Sequence, residues 1–217
     1  MEAVSAVDGL LIDVQRRLCS LYALEAQPPV TDFMIPQASA GRYPGGGSRT
    51  LVTQDGDEVS LGVVLAEEVG RHLSQRDPRV CLDTANLGPF CTLTEEVSHF
   101  VYLLFCARAD RQITQLELEL QGEVDKYLNA VFLLALQQEA ISPRLRALLF
   151  RHYRLAEDMT AEQAERYRAA SQLADRYCGY LEAQFLKRAR LADLARETRR
   201  FYRLGQREKL EKIAELA

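Results

Sequence analysis

Glu96 and His99 stand three residues apart, and on an α-helix that spacing puts a carboxylate and an imidazole on one face, within reach of a single metal ion. Glu68 and His72, four apart on the helix expected just before, offer the same ligand types and could complete a set of four. The chemistry implied is metal-assisted hydrolysis. A dinuclear carboxylate bundle needs a second Glu-x-x-His pair, and the remaining histidine, His152, has Leu149 at the matching position. Against the metal stands a plainer expectation, which the sequence favours: His99 is a hydrogen-bonded core residue, His72 is exposed, and no metal or other cofactor is bound.

Leu65-Ala-Glu67-Glu68-Val69-Gly70-Arg71 together with Leu93-Thr-Glu95-Glu96-Val97-Ser98-His99 and the apolar run to Leu104 resembles the helix pair of the all-α nucleoside triphosphate pyrophosphatases. That resemblance implies acids holding magnesium near the phosphates of a nucleotide. Arg71 stands where the family's first motif has its third acid, and His99 where the second motif has aspartate. Both changes replace an oxygen ligand suited to Mg²⁺.

The other unusual feature is basic. Arg196, Arg199, Arg200, Arg203 and Arg207 fall within about 100° of one another on a helical wheel, with Leu191, Leu194, Phe201 and Tyr202 opposite. Such a face is either solvated or grips carboxylates or phosphates with its guanidinium forks, an acidic protein surface ranking ahead of nucleic acid as the partner. Glu117 falls on an apolar stripe with Leu120, Val124 and Val131; it either meets His99 or an arginine inside or, the favoured reading, completes a capping box with Thr114 near the surface. Gly41-x-x-x-x-Gly46-Gly47-Ser48 has phosphate-loop glycine spacing, but Gly47 occupies the place of the lysine and a strand follows. The stretch 36–48 therefore reads as a flexible loop. No Gly-x-Ser-x-Gly elbow and no nucleophile-like cysteine context occurs.

The elements that must position these groups follow from periodicity. Val4, Val7, Leu11, Val14, Leu18 and Leu21 line one side of an N-terminal helix that ends before Pro28-Pro29. Two β-branched runs flank Asp55-Gly56 over residues 50–65, a hairpin signal because the turn needs positive φ. A helix is expected at about 65–74, and Thr92-x-x-Glu95, Thr114-x-x-Glu117 and Thr160-x-x-Gln163 fit capping boxes. Val97 to Cys106 leaves almost no polar face, which predicts a helix buried on most sides. The helix after Thr114 shows a stripe through Leu120, Val124, Tyr127, Val131 and Ala135, with Glu119 and Lys126 on its other side, and Ser142-Pro143 reads as another helix start.

The 217 residues are 47% hydrophobic and 27% charged, which excludes disordered, collagenous and disulfide-scaffold classes. Five scattered cysteines without a Cys-x-x-Cys pair fit reduced thiols in a cytoplasm. No apolar run approaches the ~18 residues of a membrane span. The net charge of −4 is uneven: residues 1–143 carry 10 basic against 20 acidic side chains, residues 144–217 carry 17 against 11. The expected fold is mainly α: a single compact helical domain over 1–217, of about six or seven helices, with one β-hairpin near the N-terminal third and a basic helical C-terminal extension over 188–217. The expected function is that of a non-enzymatic cytoplasmic interaction protein. It assembles through helical surfaces with itself or another protein, off the membrane, its basic helix meeting an acidic protein or nucleic acid. The alternative is a metal-dependent hydrolase acting on a nucleotide.

Overall fold

The computed structural model describes residues 5–42, 47–56, 58–138, 142, 144–151 and 159–216. Among them are eight α-helices and one antiparallel hairpin, the mainly α architecture expected. α1 (Ala6–Tyr22) starts at a true capping box, Ser5 with Asp8, and ends in a left-handed residue, Ala23 at φ 49°. Leu11, Val14 and Leu18 are buried as their spacing requires; Val4 lies outside the described residues. β1 (Arg49–Asp55) and β2 (Glu58–Val64) pair from Arg49 with Val64 to Asp55 with Glu58, and Gly56 takes the positive φ, +59°, that the turn demands. Gly62 allows a close approach: a β-carbon there would press on the Ile35 side chain, which would have to move.

α2 (Glu67–Gln75), α3 (Leu87–Arg108) and α4 (Gln115–Gln138) follow. The expected helix start at Thr92 is corrected: α3 begins five residues earlier, and the Thr92 hydroxyl donates to the Gly88 carbonyl one turn back, as a mid-helix threonine does. Asn86, with its amide on Arg76 and Cys81 carbonyls, anchors the real start. Thr114 does cap α4, its Oγ1 accepting from Glu117 N at 3.1 Å. The side of α4 opposite the stripe, with Lys126, is buried too, because α3 and α6 pack on this helix from different sides.

α5 (Leu145–Phe150) and α6 (Ala161–Gln184) come next, α6 opening on the Thr160–Gln163 capping box. α5 is preceded by Arg144 with no side-chain cap, so Ser142 does not start it; Pro143 and His152 lie outside the described residues. The expected loop over 36–48 contains 3₁₀ turns at Gln37–Arg42, and its residues 43–46, with Gly46 of the phosphate-loop spacing, also lie outside them.

The C-terminal segment divides at Leu204-Gly205 into α7 (Leu191–Arg203) and α8 (Gln206–Ala214), which raises the helix number above expectation and puts Arg207 on a different helix from the other four arginines. Both helices are packed in. Tyr202 stacks on Tyr22 at 3.9 Å between ring centroids, Phe201 on Tyr177 at 3.8 Å, and Leu194 and Ile213 are buried. Aromatic pairs of this kind add ~0.5–1.5 kcal/mol each beyond burial, so α7 belongs to the same core as α1, α3 and α6. In that core α3 packs on α4, α4 on α6, and the hairpin lies against α3.

Candidate metal centre

Between the hairpin, the N-terminal ends of α2 and α4, the middle of α3 and the start of α6 lies a cleft of about 850 Å³. Glu68, Glu96 and His99 all line it. His72 does not line it, and the expectation that it is exposed is corrected: it is half-buried on α2, its Nε2 buried without a hydrogen-bond partner.

The ligand set differs from the expected one: Glu95 takes the place of Glu96, and Glu119 of α4 the place of Glu68 and His72 of α2. Glu95, His99 and Glu119 each offer one ligand atom, and the three atoms lie within 4.8 Å of one another. Donors held tetrahedrally at 2.0–2.2 Å from one ion stand ~3.5 Å apart, so side-chain rotations that draw the set in by about 1 Å would close it on an ion. Glu96 faces the hairpin instead, where the Thr50 hydroxyl donates to its Oε2 at 2.9 Å. Helical geometry explains the outcome: Glu95 is four residues from His99 and shares its face as well as Glu96 does at three. The cross-helix position of Glu119 then selects Glu95.

His99 is 8% exposed, and its Nε2 is buried without a hydrogen-bond partner. A hydrogen-bonded core histidine is therefore not what the structure contains. The imidazole packs on α4 at Gly122, where a β-carbon would stand 3.0 Å from Nε2. Burial lowers its pKa, only partly opposed by Glu95, which favours the neutral ring that binds metals.

Glu95 is fixed from behind. Lys126 Nζ donates to Glu95 Oε2 at 2.8 Å, to Glu123 Oε1 at 2.6 Å and to the Tyr167 hydroxyl at 3.1 Å. One oxygen of Glu95 is thereby occupied, leaving Oε1 for an ion. Burial pushes the Glu95 carboxyl up, but Lys126 and His99 reverse the shift and hold it below its ordinary value. Glu119 is pushed up to about 7 by burial and by Glu95, with Lys126 and Arg166 pulling the other way. Glu96, buried and beside Glu95, is pushed up to about 8.

The donor set, two carboxylates and an imidazole, suits a first-row transition ion such as Zn²⁺ or Mn²⁺ better than Mg²⁺. Three protein ligands leave positions open toward the cleft for water. The acids of the resemblance are only partly in play. Glu68 is exposed at the cleft mouth and Glu67 is held through its backbone N–H by Gln37 at 2.8 Å.

Glu117 takes the inward alternative: it is 2% exposed, salt-bridged to Arg111 at 2.7 Å and accepting from Tyr102 at 2.6 Å, away from His99. Of the arginine stripe, Arg199 and Arg203 reach back to α1. Arg199 Nε donates to the Leu21 carbonyl at 2.8 Å and Arg203 to the Tyr22 carbonyl at 3.0 Å, the negative end of the helix. Arg196 pairs with Asp193, Arg207 with Glu211 at 2.8 Å, and Arg200 is exposed with no hydrogen-bond partner among the described residues. No family model, no curated protein and no solved structure matches this chain.

Proposed function

We propose that the protein is a metal-dependent hydrolase whose ion sits on Glu95, His99 and Glu119. One observation carries this reading: a histidine nine-tenths buried, with an unpartnered ring nitrogen, standing between two carboxylates at the wall of a cleft. A buried polar atom left unpaired costs about 1–3 kcal/mol, and a bound ion offsets that cost. An ion held by Glu95, His99 and Glu119 would supply an activated water and positive charge for hydrolysis. Residues of the chain bind the ion, hold Glu95 through Lys126, and shield the centre between hairpin and helices.

The test is a Co²⁺ titration of the full chain. The reading expects one equivalent with visible bands of mixed nitrogen and oxygen ligation, weakened at least tenfold by Glu119→Gln and by His99→Gln with circular dichroism unchanged. The loaded protein then hydrolyses a member of a phosphate-ester panel, and Glu119→Gln loses that activity. Stoichiometric binding untouched by either substitution would refute the reading.

A second reading, an interaction protein docking an acidic protein or nucleic acid, is favoured by exposed Arg196, Arg200 and Arg207. Arg199 and Arg203 are committed to α1 in it. The five unpaired cysteines support a cytoplasmic setting, and no helix of the described residues is long and apolar enough to cross a membrane. Pull-down with and without Arg196→Glu/Arg200→Glu tests it: captured partners are lost on reversal if the stripe docks them, and retained if it does not.

A further inference from the structure

We infer that the cleft takes a phosphoryl group, with one oxygen on the ion held by Glu95, His99 and Glu119 and others on the guanidinium of Arg166; this rests on the metal reading above and names its substrate class. Arg166 stands near the start of α6, lines the same cleft, and is half-buried. Its Nε is buried with no hydrogen-bond partner, and among the described residues it makes no ion pair, although Glu119 is near enough for its carboxyl to feel the positive charge. The neighbouring cations of the cleft are differently placed. Lys126 is taken up by Glu95 and Glu123, and Arg49 donates to the carbonyls of Gly47 and Ala40.

An arginine kept unpaired in a cleft, within electrostatic reach of Glu119, has a planar fork of donors unused, and that fork matches an oxyanion. Charge points the same way. Two carboxylate ligands and a neutral imidazole balance a divalent ion, so the unpaired guanidinium of Arg166 is left to meet an anionic group of the substrate. A phosphoryl group has enough oxygens, in a tetrahedral arrangement, to reach an ion with one and a guanidinium with two. A carboxylate has only two oxygens in one plane and cannot do both with bidentate geometry. The combination of ion and arginine also places positive charge where a phosphoryl transfer develops negative charge.

The experiment uses the full chain loaded with Co²⁺ and inorganic phosphate as the probe, read by the change in the cobalt bands. Phosphate perturbs the wild-type spectrum saturably; Arg166→Gln weakens phosphate at least tenfold while Co²⁺ affinity stays within about twofold, and Arg166→Lys recovers part of the loss. Acetate at the same concentration leaves the spectrum unchanged. Phosphate binding that ignores Arg166→Gln, absence of any phosphate effect on a well-loaded protein, or acetate acting as strongly as phosphate each overturns the phosphoryl assignment while the metal reading stands. A wild-type chain that takes up no Co²⁺ overturns the metal reading and this one with it. The lysine variant, which keeps charge and length, guards against misfolding of the glutamine variant.

Discussion

Lys126 Nζ lies 2.8 Å from Glu95 Oε2 and 2.6 Å from Glu123 Oε1, with the lysine 5% exposed, so a buried cation from α4 holds a cleft carboxylate of α3 in place. Burial lowers the Lys126 pKa, but Glu123 and Glu95 overcome it and raise the value well above the ordinary one, which keeps the ammonium charged. Removing one member of a buried ionic set leaves its partners uncompensated. Lys126→Met is expected to destabilise the fold by about 3–5 kcal/mol in urea denaturation; a variant as stable as wild type would show that the cluster is not charged.

The packing of Lys209 makes stability depend on pH. Lys209 is 0% exposed, donating to Tyr102 at 2.7 Å and Gln121 Oε1 at 2.9 Å, and burial pushes its ammonium down to about 7 against Glu117 and Asp125 and with help from Arg111. Between pH 7 and the ordinary 10.5 the unfolded chain carries a proton that the folded chain has released, so this group makes stability rise with pH across that window, by about 5 kcal/mol in all. Asp125 moves oppositely. Burial lifts it to about 6, only partly countered by Ser98, Tyr22 and Gln121, so the folded chain holds a proton the unfolded one loses and stability falls as pH rises from about 4 to 6. Glu119, lifted to about 7, and Glu96, lifted to about 8, act in the same sense as Asp125, so a stability minimum is expected between pH 7 and 8. Lys209→Met should remove the rise above it, and an unaltered slope in that variant would assign the rise elsewhere.

Arg199 and Arg203 tie the end of α1 to α7 across nearly the whole chain. Hydrogen bonds from a charged donor to helix-terminal carbonyls stabilise by about 1–3 kcal/mol. Arg199→Ala/Arg203→Ala is expected to lower stability by about 2 kcal/mol, while Arg196→Ala/Arg200→Ala, on side chains facing solvent, changes it by less than about 0.5 kcal/mol. Equal effects of the two pairs would remove the capping role.

Gly122→Ala separates site geometry from fold. Alanine favours a helix over glycine by about 1 kcal/mol, but its β-carbon meets His99 Nε2 at 3.0 Å and displaces the imidazole. Helicity is expected to be kept and Co²⁺ affinity to fall at least tenfold. Unchanged affinity would mean that the ring position does not matter to the ion.

What was legible in the sequence was local. The Gly56 turn, the Thr160 capping box, the α1 stripe and the burial of α3 each depend on neighbours a few residues away. The site was half legible: Glu96 and His99 mark the right turn of α3, but that helix is apolar nearly all round, so no polar face distinguished Glu95 from Glu96. Glu95 also sat in an apparent capping box with Thr92, which drew it toward a helix start that lies at Leu87 instead. Glu119, Lys126 and Arg166 enter only because α4 and α6 pack against α3. The arginine stripe had a clear helical phase; the carbonyls receiving Arg199 lie 178 and 179 residues back in the chain, beyond any periodicity.

The metal centre itself is tested most directly by an anomalous difference map at the zinc edge, from crystals of the full chain grown with one equivalent of Zn²⁺. The account predicts a single strong peak 2.0–2.2 Å from oxygens of Glu95 and Glu119 and a ring nitrogen of His99, with water or an anion completing the coordination toward Arg166. A peak on other residues, or His99 without a metal and hydrogen-bonded to an ordered water, would contradict it.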